Sequence, residues 1–587
     1  MSQDNEDNLY KIRHSAEHVF AQAVRELYGD KVQLAVAHIS DVGFANDAKW
    51  DVKLSEANFE KIEKRMQQII DKDLPIVQKE ISREEAKEMF KNNPFKLEWI
   101  DQFDAQEKTL TVYWTGDRYV DFCKGPHVKS TGEIKAFKLL SVAGAYWRGD
   151  ANKEMLTRTY GTAFDSKEAL DEYLNMLEEA KKRDHRKLGK ELDLFTFSDL
   201  VGSGLPLFTP KGTYLWQQLA NFSESLQREA GFEQVKIPHI TKTELYKVSG
   251  HWDKFGDELF IVKSQETDDV FVMKPMNCPH HTQIYASQKR SYRDLPVRYF
   301  ETTTNYRDEK AGELLGLSRV RALTQDDAHI FCRMDQIDEE FTLIMGMIKK
   351  MYAALGLDFK ARLSFRDPAH PEKYHGDDAS WEDAQKTIED IAKKLDINYF
   401  VAIGEAAFYG PKIDIMVKDS LGREWQCATE QLDFVQPKRF GLVYTDKDGQ
   451  EKMPVMIHKA LLGTVERFMS VYIEHTAGNF PAWLCYNQVA LIPISNEKHM
   501  DYMDEVAAEL KKKGLRVKIM DENETMGNKI RKAQADKIPY MAVAGDKEIE
   551  NNTVSIRLRG GEDAGTMTIE EFADRVANAI TSKSLEL

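Results

Sequence analysis

LPVRYFETTTNYRDEKAGELLGLSRVRALTQDDAHIF, residues 295–331, reads as an apolar strand around Val297 and Tyr299, then a loop rich in charge and glycine. A second strand is expected from Leu317 to Leu323, leading into the polar cluster Thr324-Gln325-Asp326-Asp327-Ala328-His329. Two strands around a loop carrying Arg307 and Glu309 form a hairpin able to hold a phosphate, although an isolated stretch of this kind also reads as an ordinary surface hairpin. Arg319 and Arg321 alternate with apolar neighbours, and Gln325, Asp327 and His329 continue the alternation. Period two therefore gathers many polar groups on one sheet face. Burying such a face is costly unless it lines up against a polar ligand.

Outward from this hairpin, a chain of 587 residues is too long for one core and implies roughly three or four domains. With 42% hydrophobic and 30% charged residues the composition is that of an ordinary globular protein. The opening MSQDNEDNLY is acidic and lacks the apolar core of a secretory signal, and no apolar run reaches the roughly 18 residues a bilayer span requires. Five cysteines, Cys123, Cys278, Cys332, Cys427 and Cys485, lie at long separations, which suits a reducing cytoplasm better than a disulfide framework. A net charge of −16 argues against blanket nucleic-acid binding but leaves room for local basic faces that dock a phosphate backbone.

Residues 10–29 have the spacing of an amphipathic helix, with Val19, Ala23 and Leu27 on its apolar stripe and His14 and His18 one turn apart on one face. Tyr119 to His127, YVDFCKGPH, supplies a second pair four apart, Cys123 and His127. Two such pairs can form a four-group nitrogen and sulfur cluster. Two readings compete with this: histidines that merely pack, and the H-x-x-E-H pattern of inverted zinc peptidases, which His14-Ser15-Ala16-Glu17-His18 also matches. From Asp165 a helix is expected, started by Asp165 and Glu168 in capping-box spacing and striped by Leu170, Tyr173, Leu174 and Leu177. A basic run follows, Lys181-Lys182-Arg183 and His185-Arg186-Lys187, readable as a solvated helix end or as a contact for an RNA backbone.

Residues 211–240 read as a long helix and then a strand over Val235–Pro238. Cys278, His329 and His458 are too far apart for any spacing rule and by themselves read as packed core residues. A helix is expected from near Leu461, carrying Gly463-Thr464-Val465-Glu466-Arg467-Phe468. After Trp483 the order is strand (489–494), helix (500–513), strand (515–520), helix (528–536), strand (540–544) and strand (553–558), an α/β alternation.

The central hairpin resembles motif 2 of the class II aminoacyl-tRNA synthetases, and TQDDAHIF is similar to the threonyl-tRNA synthetase family in particular. HSAEH, the Asp41-Gly43-Phe44 turn, DFCKGPH and AGAYWRGD resemble the editing domain shared by threonyl- and alanyl-tRNA synthetases. IPYMAVAGDKE and VSIRLRGG resemble the anticodon-binding domain. The resemblance implies a multidomain α+β and α/β protein: an α+β tRNA editing domain (1–165), a linker helix (166–188), a class II antiparallel-sheet catalytic domain (189–481) and an α/β anticodon-binding domain (482–587). It implies Cys278, His329 and His458 as ligands of one Zn2+ per subunit, and Mg2+ accompanying ATP. Arg307 falls to the α-phosphate, Arg319 to the outer phosphates, Glu309 to the adenine side, and Arg467 to stacking on adenine. Met276, Gln325, Asp327, Tyr409, Lys412 and Gln426 fall to threonine, with Asp327 on its ammonium. His251 becomes a candidate for proton transfer when the tRNA ribose attacks the adenylate. His14, His18, Asp121, Cys123 and His127 fall to the editing pocket, and Asn523, Lys537, Glu548 and Arg557 to the anticodon. Residues 211–240 resemble motif 1, which in the family builds a homodimer interface; the implied protein is cytoplasmic, with tRNA(Thr), ATP and L-threonine as partners.

Four departures accompany the resemblance. Ala45 and Asn46 replace a pair of tyrosines, Asp308 an asparagine, Thr464 a serine, and Lys537 an arginine. Only about a dozen residues precede His14, so the small ubiquitin-like domain common in the family is expected to be absent. The implied chemistry also explains hydrolytic and synthetic halves in one chain. An apolar pocket separates valine from threonine by only about a hundredfold, which a hydroxyl-binding metal solves. Serine keeps the hydroxyl and lacks one methyl, a difference of about 1–3 kcal/mol, so a second hydrolytic site is needed. The alternatives are another class II synthetase, for serine or proline, and an inactive RNA-binding paralogue, against which Arg307, Arg319 and Arg467 all speak.

Overall fold

The structure is a computed structural model that describes residues 3–105, 110–150 and 152–587. It divides into two compact units, residues 1–178 and 179–587.

In the first unit the helix Gln3–Tyr28 buries Ile12, Ala16, Val19, Phe20, Ala23 and Val24, the apolar stripe that helical spacing requires. It packs against an antiparallel sheet ordered Val32–Ser40, Gly43–Trp50, Met155–Phe164 and Ala136–Tyr146. Between these strands lie the helix Phe59–Ile70 and a smaller sheet of Ile76–Glu80, Thr111–Thr115 and Tyr119–Phe122. That insertion brings Cys123 and His127 back to the histidines of the first helix. The helix after this sheet system runs Lys167–Arg183, and its starting cap is Ser166, whose hydroxyl accepts from the Ala169 N–H at 3.2 Å, rather than Asp165.

The second unit is built on an eight-stranded sheet in the order Glu233–Gln234, Val297–Tyr306, Ala322–Cys332, Val455–Thr464, Glu424–Asp433, Lys412–Lys418, Phe359–Phe365 and Tyr399–Ile403. Only the outermost pair at each edge is parallel. The long helices Pro210–Glu229 and Ile337–Leu355 cover one face and fill it with Leu219, Leu226, Phe341, Ile344 and Ile348. This leaves the opposite face for polar residues.

Three expectations need correction here. The second strand of the hairpin starts at Ala322, not Leu317, because residues 311–321 form a short turn of helix and an irregular arm pinned by side chains. The strand after the first long helix is only Glu233–Gln234; Val235 still donates to the Phe300 carbonyl at 3.0 Å, but the Ile237 N–H turns to the Glu301 carboxylate at 3.2 Å, so the ladder ends before Pro238. Leu461 belongs to the strand Val455–Thr464, and the helix begins at Val465. Gly463 turns the strand into that helix at φ +79°, where a Cβ would meet the Cys427 carbonyl oxygen at 2.5 Å.

The last hundred residues form a five-stranded sheet ordered Val517–Ile519, Val489–Pro493, Tyr540–Ala544, Thr553–Leu558 and Asp563–Thr568, parallel for the first three and antiparallel for the rest. The strand Asp563–Thr568 and the helices Asp546–Asn551 and Ile569–Thr581 escaped the sequence reading, since glycine and acidic residues hide a period-two pattern in the first.

Candidate active sites

On the polar face of the large sheet, register does the assembling. Residues 329 and 458 sit opposite each other on neighbouring strands, and Cys278 starts the helix Cys278–Ala286 that packs over them. One ligand atom from each of the three lies within 4.8 Å of the other two, and all three side chains are buried. His458 Nε2 lies 2.9 Å from Asp433 Oδ2, whose carboxylate also accepts the Val435 and Gln436 N–H groups and the Gln436 amide. His329 Nδ1 lies 2.8 Å from His281 Nδ1. Each histidine thus has one ring nitrogen oriented by a neighbour, as in metal-binding imidazoles, while His329 Nε2 faces Asp327 Oδ1 at 3.8 Å. Burial, reinforced by the Asp327 and Asp433 carboxylates, drives the Cys278 thiol well above its ordinary pKa, and a bound cation would let this donor set hold a thiolate.

Around the cluster, Asp327 accepts from Asn277 at 2.9 Å, and burial lifts its carboxyl to about 6. Its neighbour Asp326 points to the other face and accepts the Leu461 and Leu462 N–H groups and the Ser223 hydroxyl. Tyr409 stacks on His458 with ring centroids 4.9 Å apart and donates to Gln431 at 2.5 Å. Gln325 accepts from Asn305 at 2.5 Å. His251 is buried, with Nδ1 on the Ser249 hydroxyl at 2.8 Å and Nε2 facing the Cys278 sulfur at 3.6 Å, and burial depresses its pKa to about 3. Lys412 and Gln426 converge instead on Asp414, at 2.8 and 2.7 Å, together with Arg362.

Arg307 places its guanidinium 4.9 Å from the centre of the Phe255 ring and 3.2 Å from the Met276 sulfur. Among the described residues no carboxylate lies within 4 Å of it, and burial lowers its pKa from the ordinary value. A partly buried guanidinium with no ion-pair partner within 4 Å, and only the fields of Glu258 and Glu309 nearby, is a site for an anion. Arg319 is half-exposed and bridges Glu309 and Glu313, at 2.7 and 2.8 Å. Glu309 is therefore already paired, and its backbone carbonyl is held by Arg321. Arg467 is exposed at the start of its helix, 6.0 Å from the Trp425 ring. Beside it the buried Glu466 accepts the Thr324 N–H at 2.7 Å and ties the hairpin to this helix, a role the sequence reading missed.

The first unit holds a second cluster. His14, His18, Cys123 and His127 each present a ligand atom within 4.8 Å of the rest. The Cys123 sulfur lies 3.1 Å from His14 Nε2 and 3.3 Å from His127 Nε2. His14 Nδ1 is set by the Pro126 carbonyl and His127 Nδ1 by the Ser15 hydroxyl, both at 3.1 Å. Burial pushes the Cys123 thiol up to about 12 and His14 down to about 4. A cavity of about 220 Å3 opens beside the cluster, lined by His14, His18, Asp121, Cys123, Lys96 and Glu17 among others. Lys96 escaped the sequence reading; it pairs with Asp121 at 2.7 Å in a nearly dry environment. Asn46, one of the departures, donates to Glu17 at 2.6 Å, and burial raises the Glu17 carboxyl to about 8.

Of the four residues expected at the anticodon, Asn523 and Arg557 are exposed. Glu548 has both oxygens engaged, by the Gly545 N–H and the Ser555 hydroxyl. Lys537, at φ +55°, packs toward Gly478 at the seam with the preceding domain. No helix among the described residues is long and apolar enough to cross a membrane.

Comparison with known proteins agrees with this arrangement. The tRNA synthetase class II core domain (G, H, P, S and T) matches residues 260–476, the anticodon binding domain 488–579, and the threonyl and alanyl tRNA synthetase second additional domain 110–160. The threonine–tRNA ligase of Staphylococcus carnosus is 47% identical over 99% of this chain and 89% of its own length, and that of Staphylococcus aureus 46% identical over 99% and 90%. Among solved structures, the RNA-binding domain of threonyl-tRNA synthetase from Cryptosporidium parvum superposes with a TM-score of 0.64 at 35% identity, covering 67% of this chain and 98% of that one. With three domain families in family order and close to half its residues shared along nearly its whole length, the chain belongs to the threonine–tRNA ligase family of class II aminoacyl-tRNA synthetases.

Proposed function

We propose that this protein joins L-threonine to tRNA(Thr) in two steps, forming threonyl-adenylate from threonine and ATP and then passing the threonyl group to the terminal ribose, and that its first unit hydrolyses seryl-tRNA(Thr). The observation that carries the reading is the buried Cys278, His329 and His458 triad with Arg307 nearby, its guanidinium 3.2 Å from the sulfur of Met276, two residues before Cys278. Zn2+ held by those three groups would supply a Lewis acid with an open position for the amino and hydroxyl groups of threonine. Asp327 accepts a hydrogen bond from that amino group, which gives up a proton to offer the metal its lone pair, and Tyr409 and Gln325 close the pocket around the side chain.

Arg307 faces the carboxylate and α-phosphate, where charge accumulates as the carboxylate attacks phosphorus, and Arg319 holds the outer phosphates that Mg2+ accompanies. Arg467 stacks on the adenine. His251, its Nδ1 committed to Ser249, takes the ribose proton in the second step. In the first unit His14, His18, Cys123, His127 and Asp121 line the hydrolytic pocket, with the Lys96–Asp121 pair at its wall. The four-part organisation at 1–165, 166–188, 189–481 and 482–587, the anticodon contacts of Asn523, Lys537, Glu548 and Arg557, a homodimer and a cytoplasmic location complete the proposal.

Its test is amino-acid-dependent exchange of labelled pyrophosphate into ATP, with threonine, serine, valine and proline side by side, on the wild type and Cys278→Ala. Strong exchange with threonine, weak with serine, none with valine and loss in Cys278→Ala supports the mechanism. Exchange driven best by another amino acid overturns the substrate, and no exchange with any of them overturns the enzyme.

A further inference from the structure

The arm that returns from the motif 2 loop is gripped at two consecutive residues immediately before Arg319. The Leu317 N–H donates to His185 Nε2 at 3.1 Å, and the Ser318 hydroxyl lies 2.8 Å from that of Ser470 on the helix Val465–Thr476. His185 opens the short helix His185–Glu191 and is 3% exposed. Its Nδ1 lies 2.6 Å from Glu474 Oε1, and its own backbone N–H donates to the same oxygen at 3.0 Å. The other Glu474 oxygen accepts from Arg423. An imidazole that accepts at Nε2 and donates from Nδ1 has one tautomer, selected from both sides. The arm fits this ring closely: a Cβ at Gly316, which sits at φ +50°, would lie 2.2 Å from His185 Nε2.

Asp184, His185 and Glu474 also bring ligand atoms within 4.8 Å of one another. Every one of those groups is already engaged, since Asp184 accepts two bonds from the Arg186 guanidinium, Glu474 takes Arg423, and both His185 nitrogens are used. The cluster is a hydrogen-bond junction and not a cation site.

We propose that His185 is a positioning residue for ATP: by anchoring Leu317 to Glu474 it fixes the arm from which Arg319 reaches the outer phosphates. The inference rests on the reading that Arg319 contacts those phosphates. Arg319 is half-exposed and its ion-pair partners Glu309 and Glu313 lie on the same irregular loop, so the backbone gripped just before Arg319 is what ties that group to the rest of the fold.

The test measures KM for ATP and for threonine separately by pyrophosphate exchange in the full-length protein, for His185→Leu, His185→Gln, Gly316→Ala and Arg319→Ala. His185→Leu removes both bonds, and Gly316→Ala pushes the arm off the ring without touching it chemically. Both are expected to raise KM for ATP about five- to tenfold while KM for threonine stays within about twofold. His185→Gln, whose amide can both donate and accept, recovers most of the loss. An unchanged KM for ATP in His185→Leu and Gly316→Ala, or a parallel rise in both KM values, overturns the inference. Arg319→Ala separates the two levels: if it leaves KM for ATP unchanged, the phosphate reading of Arg319 has failed, whatever the His185 variants do. Should His185→Leu fail to fold, Gly316→Ala in the loop decides between the same two outcomes.

Discussion

Among the described residues two Cys/His clusters occur, and they are built by opposite means. In the first unit, His14 and His18 come from one helix turn and Cys123 and His127 from one short loop, so two local spacings supply all four groups. They open on a cavity, and the outer nitrogens of His14 and His127 are set by a backbone carbonyl and a serine hydroxyl. In the second unit, Cys278, His329 and His458 come from a helix start and two adjacent strands, are wholly buried, and are oriented by an aspartate and another imidazole. The four-group cluster borders a cavity that can admit a substrate, whereas the buried three-group set leaves room on a bound metal for a small ligand. The difference supports hydrolysis at one and selection at the other.

The largest expected effect that would break this contrast comes from Cys278→Ala, which lowers threonine-dependent pyrophosphate exchange about a thousandfold or more and empties the metal from the second unit, read by metal analysis of the purified protein. Hydrolysis of seryl-tRNA(Thr) by the same variant stays at the wild-type rate. If both activities fall together, the clusters are not independent. Conversely, His18→Ala slows that hydrolysis about a hundredfold, within the span of a lost acid–base group, and leaves exchange unchanged.

A finer comparison concerns the groups that orient the imidazoles. Asp433→Asn weakens metal affinity about ten- to a hundredfold in a chelator competition, because His458 loses its anionic anchor. Ser15→Ala, which removes a neutral hydroxyl from His127, lowers hydrolysis severalfold at most. Equal losses would mean that the anchors do not distinguish the sites.

The smallest effect concerns the cations near each cluster. Lys96 is paired with Asp121, but Lys274 donates to the Thr303 hydroxyl at 2.8 Å, and burial pulls its pKa down to about 8. A lysine whose pKa is lower folded than unfolded binds fewer protons when folded, so its cost is complete below about pH 8 and fades as pH rises toward the unfolded value near 10.5. Lys274→Met therefore raises thermal stability by roughly 1–3 kcal/mol at pH 7, and by less at pH 9.5. A gain that grows with pH would contradict this assignment.

The hairpin, the strand carrying Gln325, Asp327 and His329, and the strand at 553–558 were readable from period two, and the strand at 540–544 from a short apolar run buried on both faces. The start of the hairpin's second strand was misplaced because Leu317 and Val320 are buried by tertiary contacts and imitate a strand. The Thr324–Glu466 tie, the Lys96–Asp121 pair and the junction at His185 were invisible, since each joins residues far apart in the chain with no spacing to reveal them.

By itself, the sequence determined the family, the order of domains and the two pairs His14/His18 and Cys123/His127, because motif wording and helical spacing are local properties of the chain, whereas the meeting of those pairs is tertiary. Only the tertiary structure decided that Cys278, His329 and His458 form one site, that Lys412 and Gln426 turn to Asp414, and that Asn46 binds Glu17 where the family carries tyrosine. Strand register and helix docking make those contacts, and both are set by burial summed over whole faces rather than by any neighbouring residue.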